Sequence, residues 1–203
     1  MRSGDAGWEV SKDGQGGSWK INIEPGYAWK QRGAWGTPFS CFRFAVPELC
    51  GFTGRAVYLD ADMLVLGDVR ELLEMRLQAG FKTISFQRTD VAVIDCEWFR
   101  NRQDWWPTIA KMKPSGRITW HYCEMLRQHG GIAPTLDPAW NTCDTPYKAP
   151  PDPGVASAKL LHYTTVPTQP YKPYPTVQYT QHPWKSWVEE WNKTLKDARA
   201  VAG

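Results

Sequence analysis

The 203-residue chain has no long hydrophobic run. No window approaches the roughly eighteen uninterrupted apolar residues that a membrane-spanning helix needs. The opening residues, "MRSGDAGWEVSKDGQGGSWK", also lack the apolar centre of a secretory signal. We therefore predict no transmembrane segment and a cytoplasmic location, with peripheral contact with a membrane left open.

A strong charge of one sign is missing as well. Lys and Arg total 24, Asp and Glu total 21, and the net charge is +3. Without a long basic run, nucleic acid is not a natural partner. The five cysteines include no C-x-x-C pair, which argues against a disulfide framework or a thiolate zinc site. Reduced and mostly buried thiols are expected.

Phosphate-binding and hydrolase motifs such as G-x-G-x-x-G, the P-loop, H-E-x-x-H and G-x-S-x-G are absent too. What the chain does have is an alternation of segments typical of strands and helices, which predicts an α/β fold. The strand-like segments are "RAVYLD" (55–60), "TISF" (83–86), "VAVID" (91–95) and "AKLLHY" (158–163), and the helix-like segments are "VRELLEM" (69–75), "WFRNRQDWWPTIAKM" (98–112) and "TWHYCEMLRQ" (119–128).

The predicted organisation is an irregular N-terminal segment over 1–36 and one domain over 37–203. Proline concentrates in the second half of that domain, which predicts a loop region over 144–183. A helix over 184–199 follows, with Trp184, Trp187 and Trp191 along one stripe. Packing of this stripe is the favoured prediction, and docking on a membrane surface is the alternative.

Asp60 and Asp62 follow the apolar strand "AVYL" directly and precede a second apolar run, "MLVL". Residues i and i+2 of a strand share a face, so both carboxylates can converge where the strand ends. Two close carboxylates repel unless a cation or a proton lies between them. A hard divalent ion such as Mn²⁺ or Mg²⁺ prefers these oxygen ligands. A solvated turn is the alternative explanation.

The whole stretch "RAVYLDADMLVLGDVREL" (55–72) resembles the metal-binding segment of family 8 glycosyltransferases, the glycogenin and galactinol synthase group. The match lies at Asp60, Asp62, Gly67 and Asp68. The resemblance implies a GT-A-like mixed sheet with flanking helices, and a retaining hexosyltransferase that uses Mn²⁺ and a UDP-sugar donor. The acceptor would be a hydroxyl of a glycan, a lipid or a protein, and the oligomeric state stays open.

"LLHYTTVPTQPYKPY" resembles the family's later segment, His-x-x-Gly-x-x-Lys-Pro-Trp. The resemblance implies that His162 is the third metal ligand and that Lys172 contacts the donor diphosphate. Imidazole suits Mn²⁺, and an ammonium suits a phosphate as a point charge. This chain departs from the pattern in two ways, since Thr165 replaces the glycine and the spacing between the histidine and the lysine is longer.

"LDPAWNTCD" resembles a family segment that ends in Asn, which makes Asn141 and Asp144 candidate catalytic residues in the sugar pocket. A capped turn is an equal alternative for them. His121 and Tyr122 stand where the family has an Asp-Gln pair that opens a helix near the donor sugar.

The resemblance covers about residues 37–180. The strands that hold the nucleotide base in the family have no counterpart before residue 37, so we expect a GT-A-like sheet that is shortened at its N-terminal side. A second hypothesis follows from this difference: the chain is an inactive fragment or an interaction module that retains the metal-binding corner.

Overall fold

The computed structural model describes residues 8–12, 19–23, 38–86, 88–109, 116–144, 151–172 and 180–202. The strands are β1 (Trp8–Lys12), β2 (Trp19–Ile23), β3 (Arg55–Leu59), β4 (Met63–Val65), β5 (Phe81–Ser85), β6 (Arg88–Asp95), β7 (Ile132–Ala133), β8 (Thr142–Cys143) and β9 (Leu160–His162). The α-helices are α1 (Val46–Leu49), α2 (Arg70–Glu74), α3 (Gly116–Gln128) and α4 (Lys185–Ala202), and the 3-10 helices are Pro38–Ala45, Glu97–Phe99, Pro138–Asn141 and Val166–Thr168.

The chain divides into two compact units. Unit 1 comprises Met1–Tyr58 and Leu73–Leu136, and unit 2 comprises Leu59–Leu72 and Asp137–Gly203. The domain predicted over 37–203 therefore contains parts of both units.

The N-terminal segment contains a pair of strands that the sequence did not predict. β1 pairs with β2 in antiparallel register, with Trp8 opposite Ile23 and Lys12 opposite Trp19. The expectation of an irregular segment over 1–36 is therefore wrong for these two strands. "WEVSK" and "WKINI" each alternate apolar and polar residues with the period of a strand, and the glycines around them masked this pattern.

Unit 1 is built on a mixed sheet with the strand order β3-β6-β5-β7. β5 and β6 are antiparallel, with Phe81 opposite Ile94, while β5 and β7 are parallel. Residues 91–94 of β6 are completely buried, which explains why "VAVI" is a continuous apolar run without alternation. Predictions of strands in "TISF" and "VAVID" are confirmed.

Aromatic rings fill the core of unit 1 around Phe81. Its ring lies 5.9 Å from Phe44, 5.7 Å from Phe99 and 6.2 Å from Trp106, measured between centroids. Helix α3 contributes Tyr122, whose ring lies 5.1 Å from Phe44. Burial of such rings is the main favourable term in folding this unit.

The helix predicted over residues 98–112 is wrong for its described part. The 3-10 helix Glu97–Phe99 forms there, and turns and irregular chain follow up to residue 108. Pro107 has no amide hydrogen for a helical bond, and Arg102 instead stacks its guanidinium over Trp98 at 3.9 Å. Residues 110–112 lie outside the described part.

Unit 2 is built on a smaller mixed sheet with the order β4-β9-β8. β9 is antiparallel to β4 and parallel to β8. Leu64 and Leu161 of this sheet pack with Trp184 and Trp187 of the C-terminal segment. The predicted packing of the tryptophan stripe is thus observed, and α4 extends to Ala202, beyond the predicted end at residue 199.

Tyr163 connects β9 to helix α4. Its hydroxyl donates a hydrogen bond to the Trp187 carbonyl at 2.9 Å. Burial raises the pKa of Tyr163 above its usual value, so the phenol stays neutral and keeps the proton that it donates. The start of α4 is held from elsewhere in the unit, since the carboxylate of Asp152 accepts hydrogen bonds from the Ser186 amide and hydroxyl.

Within the described part of the proline-rich region 144–183, the regular elements are β9 and the 3-10 helix Val166–Thr168. The remainder of the predicted loop at 145–150 and 173–179 lies outside the described residues. The described chain is thus an α/β fold with mixed sheets and flanking helices, which is compatible with a Rossmann-like fold. None of its described helices combines the length and the apolar character needed to cross a membrane.

Gly80 allows a close contact in the aromatic core, and this generates a stability prediction. A Cβ at this position would lie 2.6 Å from Phe99 Cε2 and 2.8 Å from Trp98 Cε3. We expect Gly80→Ala to lower the free energy of unfolding by about 1–3 kcal/mol, because the buried rings have little room to move. Urea denaturation measures this change, and Phe99→Leu in the same background should recover part of it.

Gly130→Ala is the matched control. Gly130 has φ +64° and no atom within 4 Å of an added Cβ, so the substitution strains only the backbone, by about 1 kcal/mol. Phe99→Leu should not reduce that loss. If the losses in unfolding free energy caused by Gly80→Ala and by Phe99→Leu simply add in the double variant, the steric explanation is wrong.

Candidate metal centre

The register of two strands in unit 2 places Asp62 beside His162. Met63 of β4 lies opposite His162 of β9, and the Asp62 carbonyl accepts the Tyr163 amide hydrogen at 2.9 Å. Asp62 immediately precedes β4, so it lies at the end of this strand pair. The two segments that carry the predicted ligands are therefore joined by backbone hydrogen bonds.

The three predicted metal ligands come together at this point. One ligand atom from each of Asp60, Asp62 and His162 lies within 4.8 Å of the others. His162 Nε2 is 3.2 Å from Asp62 Oδ1. The imidazole is buried, whereas both carboxylates are half-buried. The cluster therefore combines an enclosed nitrogen with oxygens that solvent and a ligand can reach.

The other imidazole nitrogen shows which tautomer His162 adopts. His162 Nδ1 lies 2.9 Å from Asn141 Oδ1, and the Cys143 thiol also donates toward this oxygen, at 3.3 Å. An amide oxygen only accepts hydrogen bonds, so Nδ1 carries the proton. In the neutral ring, Nε2 then presents its lone pair to Asp62.

Two hydrogen-bond acceptors therefore face each other, His162 Nε2 and Asp62 Oδ1. A contact of 3.2 Å between two lone pairs is unfavourable unless a proton or a cation lies between them. Ligands on adjacent octahedral positions of an ion about 2.1 Å away lie about 3 Å apart, which is close to the observed distance. The donor set, two carboxylates and one imidazole, fits Mn²⁺.

Close packing fixes the segment that follows Asp60 and Asp62. The amides of Leu66 and Gly67 both donate to the Lys159 carbonyl, at 2.9 and 2.8 Å. A Cβ on Gly67 would lie 3.1 Å from both Trp140 Cη2 and Lys159 Cβ. Gly67 thus lets this segment approach the strand that carries His162, which is a physical reason for glycine after the apolar run.

Asp68 lies two residues before the start of α2. Its carboxylate accepts the Arg70 amide hydrogen at 3.0 Å and also binds the Arg70 guanidinium. These contacts with Arg70 hold the pKa of Asp68 below its usual value. Asp68 is exposed and takes no part in the cluster of metal ligands.

Asp144 is buried and its carboxylate anchors the loop after β9. Oδ1 accepts the amide hydrogens of Thr164 and Thr165, at 2.7 and 3.2 Å, and also binds the Thr164 hydroxyl. His182 Nε2 lies 3.3 Å from Oδ2. Burial acts to raise the pKa of Asp144, but His182 and the threonine donors outweigh it and hold the pKa below its usual value.

These contacts bear on the two predicted catalytic residues. The Asn141 side chain is engaged with His162, and Asp144 is engaged with Thr164, Thr165 and His182. Both residues therefore stabilise the groups around the candidate site, and their catalytic role stays a prediction. Asn141 ends the 3-10 helix before β8 and its side chain contacts Cys143 of that strand, but nothing in the sequence links these residues to His162.

Lys172 lies in a turn, where its backbone amide donates to the Gln169 carbonyl at 3.1 Å. The Lys172 ammonium is 5.4 Å from the centre of the Tyr171 ring. Gln169 itself reaches the site, because its amide nitrogen lies 3.3 Å from Asp62 Oδ2. Sequence analysis missed Gln169. It lies in the stretch where this chain is longer than the family pattern, so no motif marks it.

Comparisons of the chain with protein-family models, with curated protein sequences and with solved structures found no match.

The hydrogen bonds predict opposite tautomers for two buried histidines. His162 should carry its proton on Nδ1, facing Asn141. His182 should carry its proton on Nε2, because its Nδ1 accepts the Trp184 amide hydrogen at 3.1 Å. Long-range ¹H–¹⁵N spectra at about pH 8, above the ordinary pKa of histidine, distinguish the two forms. The set of signals that disappears in His162→Gln belongs to His162. The same tautomer for both rings would contradict the geometry.

Asp144→Asn should destabilise the protein in a pH-dependent way. The amide cannot accept every hydrogen bond that the carboxylate accepts, so we expect a loss of about 1–3 kcal/mol at pH 7. Because the folded pKa lies below the unfolded value of about 3.9, the carboxylate stabilises the fold above that pH, and this contribution disappears as the pH falls through the folded pKa.

Urea denaturation at several pH values tests this expectation. The difference between wild type and Asp144→Asn should shrink below about pH 4. Asp197→Asn, on the exposed side of α4, should change stability little at any pH. A penalty for Asp144→Asn that is constant down to about pH 3 would show that the charge of Asp144 is not what holds the loop.

Proposed function

We propose that the chain is a metal-dependent, retaining glycosyltransferase that moves a hexose from a UDP-sugar to an acceptor hydroxyl. Asp60, Asp62 and His162 hold Mn²⁺ in this proposal, or Mg²⁺ in its place. The resemblance of "RAVYLDADMLVLGDVREL" and "LLHYTTVPTQPYKPY" to family 8 glycosyltransferases supplies the reaction class. The proposal therefore includes a fold of the GT-A type.

The observation that carries the proposal is the contact between His162 Nε2 and Asp62 Oδ1. The Asn141 oxygen occupies the Nδ1 side of the ring, so Nε2 is left to face a carboxylate at 3.2 Å. His162 thus has a hydrogen-bond acceptor on its far nitrogen, an arrangement that metal-ligating histidines regularly show. Asp60, with a ligand atom in the same cluster, completes the set of donors.

A bound cation would supply positive charge to a diphosphate leaving group. The residues of the chain act around that group. Asn141 orients the His162 ring, and Lys172 adds a mobile positive charge for the diphosphate oxygens. Asp144 holds the start of the loop that carries Lys172, through the amides of Thr164 and Thr165.

The transfer step balances without a further reactant. The bond between sugar C1 and the diphosphate oxygen breaks, and an acceptor oxygen bonds to C1 on the same face. The proton of the acceptor hydroxyl passes to the departing UDP. The role of the chain is to hold the diphosphate and to stabilise its charge as it develops, which is the type of electrostatic contribution that dominates many enzymes.

A second candidate function is a non-catalytic module that retains this corner of the fold. The same contact supports it, because a proton on His162 Nε2 would turn the pair with Asp62 into a buried ion pair that needs no metal. His121 and Tyr122, in place of the Asp-Gln pair of the family, also favour it. The two candidates differ in whether a divalent ion and a diphosphate bind.

The proposal predicts that UDP binds only together with Mn²⁺. Calorimetric titration of UDP into the purified chain should give heat with Mn²⁺ present and none in its absence. Asp60→Ala/Asp62→Ala removes two direct ligands, so affinity should fall by more than the roughly 100-fold that loss of an outer-shell partner can cause. Inorganic pyrophosphate in place of UDP shows how much of the affinity the base contributes.

Asp104→Ala/Asp197→Ala is the control for charge, since both aspartates are exposed and the net charge changes equally. This variant should bind UDP as the wild type does. Equal UDP binding with and without Mn²⁺, or no binding by a folded protein, would reject the enzyme and favour the module. Mn²⁺-dependent binding would justify a screen of donor sugars by release of UDP.

A further inference from the structure

Gln169 is a buried polar residue in the loop between β9 and the C-terminal helix. Its amide nitrogen donates to the Tyr163 carbonyl at 2.7 Å and approaches Asp62 Oδ2 at 3.3 Å. Both partners are acceptors. The nitrogen rather than the oxygen of the side chain must therefore point at them, because the opposite orientation would place three acceptors together.

The two oxygens of Asp62 thus have different neighbours. Oδ1 faces His162 Nε2, and Oδ2 faces the Gln169 amide. A carboxylate held from one side cannot rotate freely about its last bond. Gln169 therefore keeps Oδ1 directed toward the ligand cluster in the absence of any ion, which reduces the entropy that is lost when an ion binds.

The neutrality of Gln169 is as relevant as its geometry. A lysine or arginine in this place would neutralise Asp62 and compete with a divalent cation for the carboxylate. A carboxamide orients the group and leaves its negative charge available. Outer-shell partners of this kind typically change metal affinity by about 10- to 100-fold.

Gln169 also connects the site to the turn that carries Lys172. The Thr168 amide donates to the Thr165 carbonyl at 2.9 Å, and the Lys172 amide donates to the Gln169 carbonyl at 3.1 Å. Asp144 anchors Thr165 at the start of the same segment. The segment 164–172 is therefore attached to the site at two points, Asp144 near its start and Asp62, through Gln169, near its end.

We propose that Gln169 is a positioning residue for Asp62, and that it couples occupancy of the metal site to the order of the segment 164–172. This inference rests on the proposed metal site and adds a residue and a form of regulation to it. When the ion fixes Asp62, Asp62 fixes Gln169, and the turn that presents Lys172 to a diphosphate becomes more rigid. A diphosphate would then find the lysine already in place.

The first test measures Mn²⁺ affinity directly, from the electron paramagnetic resonance signal of free Mn²⁺. Gln169→Met keeps the length of the side chain and removes its donor. We expect it to weaken Mn²⁺ binding about 10- to 100-fold. Gln128→Met is the matched control, because Gln128 also donates to a carboxylate, Glu124 Oε1 at 3.0 Å, but at an exposed site in unit 1. It should leave Mn²⁺ affinity unchanged.

Asp62→Ala in the same series separates this inference from the proposed function. If wild type and Gln169→Met bind Mn²⁺ equally while Asp62→Ala does not bind, the metal site stands and the role of Gln169 is rejected. If the wild type itself binds no Mn²⁺ through Asp62, the proposed function and the inference fall together.

A second measurement begins with the wild type, so its main outcome does not depend on how well the variant folds. Hydrogen–deuterium exchange of the peptide 164–172 should slow several-fold when Mn²⁺ is added, while exchange in α3 should not change. Unchanged exchange in 164–172 at saturating Mn²⁺ would overturn the coupling. Restored fast exchange in a folded Gln169→Met protein with Mn²⁺ would support it.

Discussion

The antiparallel pairing of β4 with β9 is the constraint on which the candidate site depends. It sets Met63 opposite His162 and joins the Asp62 carbonyl to the Tyr163 amide. Because side chains alternate along a strand, a slip of one residue would turn His162 away from the carboxylates and Leu161 to the opposite face of the sheet. The burial of Leu64 and Leu161 against Trp187 therefore enforces the same register that brings the ligands together. Packing and chemistry favour one alignment.

Around that register, unit 2 uses its buried polar groups for orientation. Asn141 holds His162, Gln169 holds Asp62, and Asp144 holds the backbone that leaves β9. Each of these groups loses water on folding and regains hydrogen bonds from neighbours, which is the condition under which burial of polar groups is tolerated. The result is a set of ligands whose positions are defined before any ion is bound.

The sequence predicted the ligand cluster and the type of fold better than it predicted the support behind them. Asp60, Asp62 and His162 stand beside apolar strands, and strand ends are recognisable from local composition. The orientation of Asn141 and the reach of Gln169 depend on contacts between segments far apart in the chain, which local patterns do not encode. Two local elements were missed for other reasons. β1 and β2 alternate like strands but lie among glycines, and around Pro107 the stacking of Arg102 on Trp98 replaces the expected helix.

The order of the strands along the chain has a consequence for synthesis on the ribosome. β4 is made early, but both of its partners in the three-stranded sheet, β9 directly and β8 beyond it, are made much later. Leu64 and the backbone of β4 thus stay without their final partners until residues 160–162 have emerged, and the tryptophans that cover the sheet follow later still. Non-local pairing of this kind is slow and leaves a strand edge exposed in the meantime. The nascent chain therefore carries Asp60 and Asp62 well before His162 can join them.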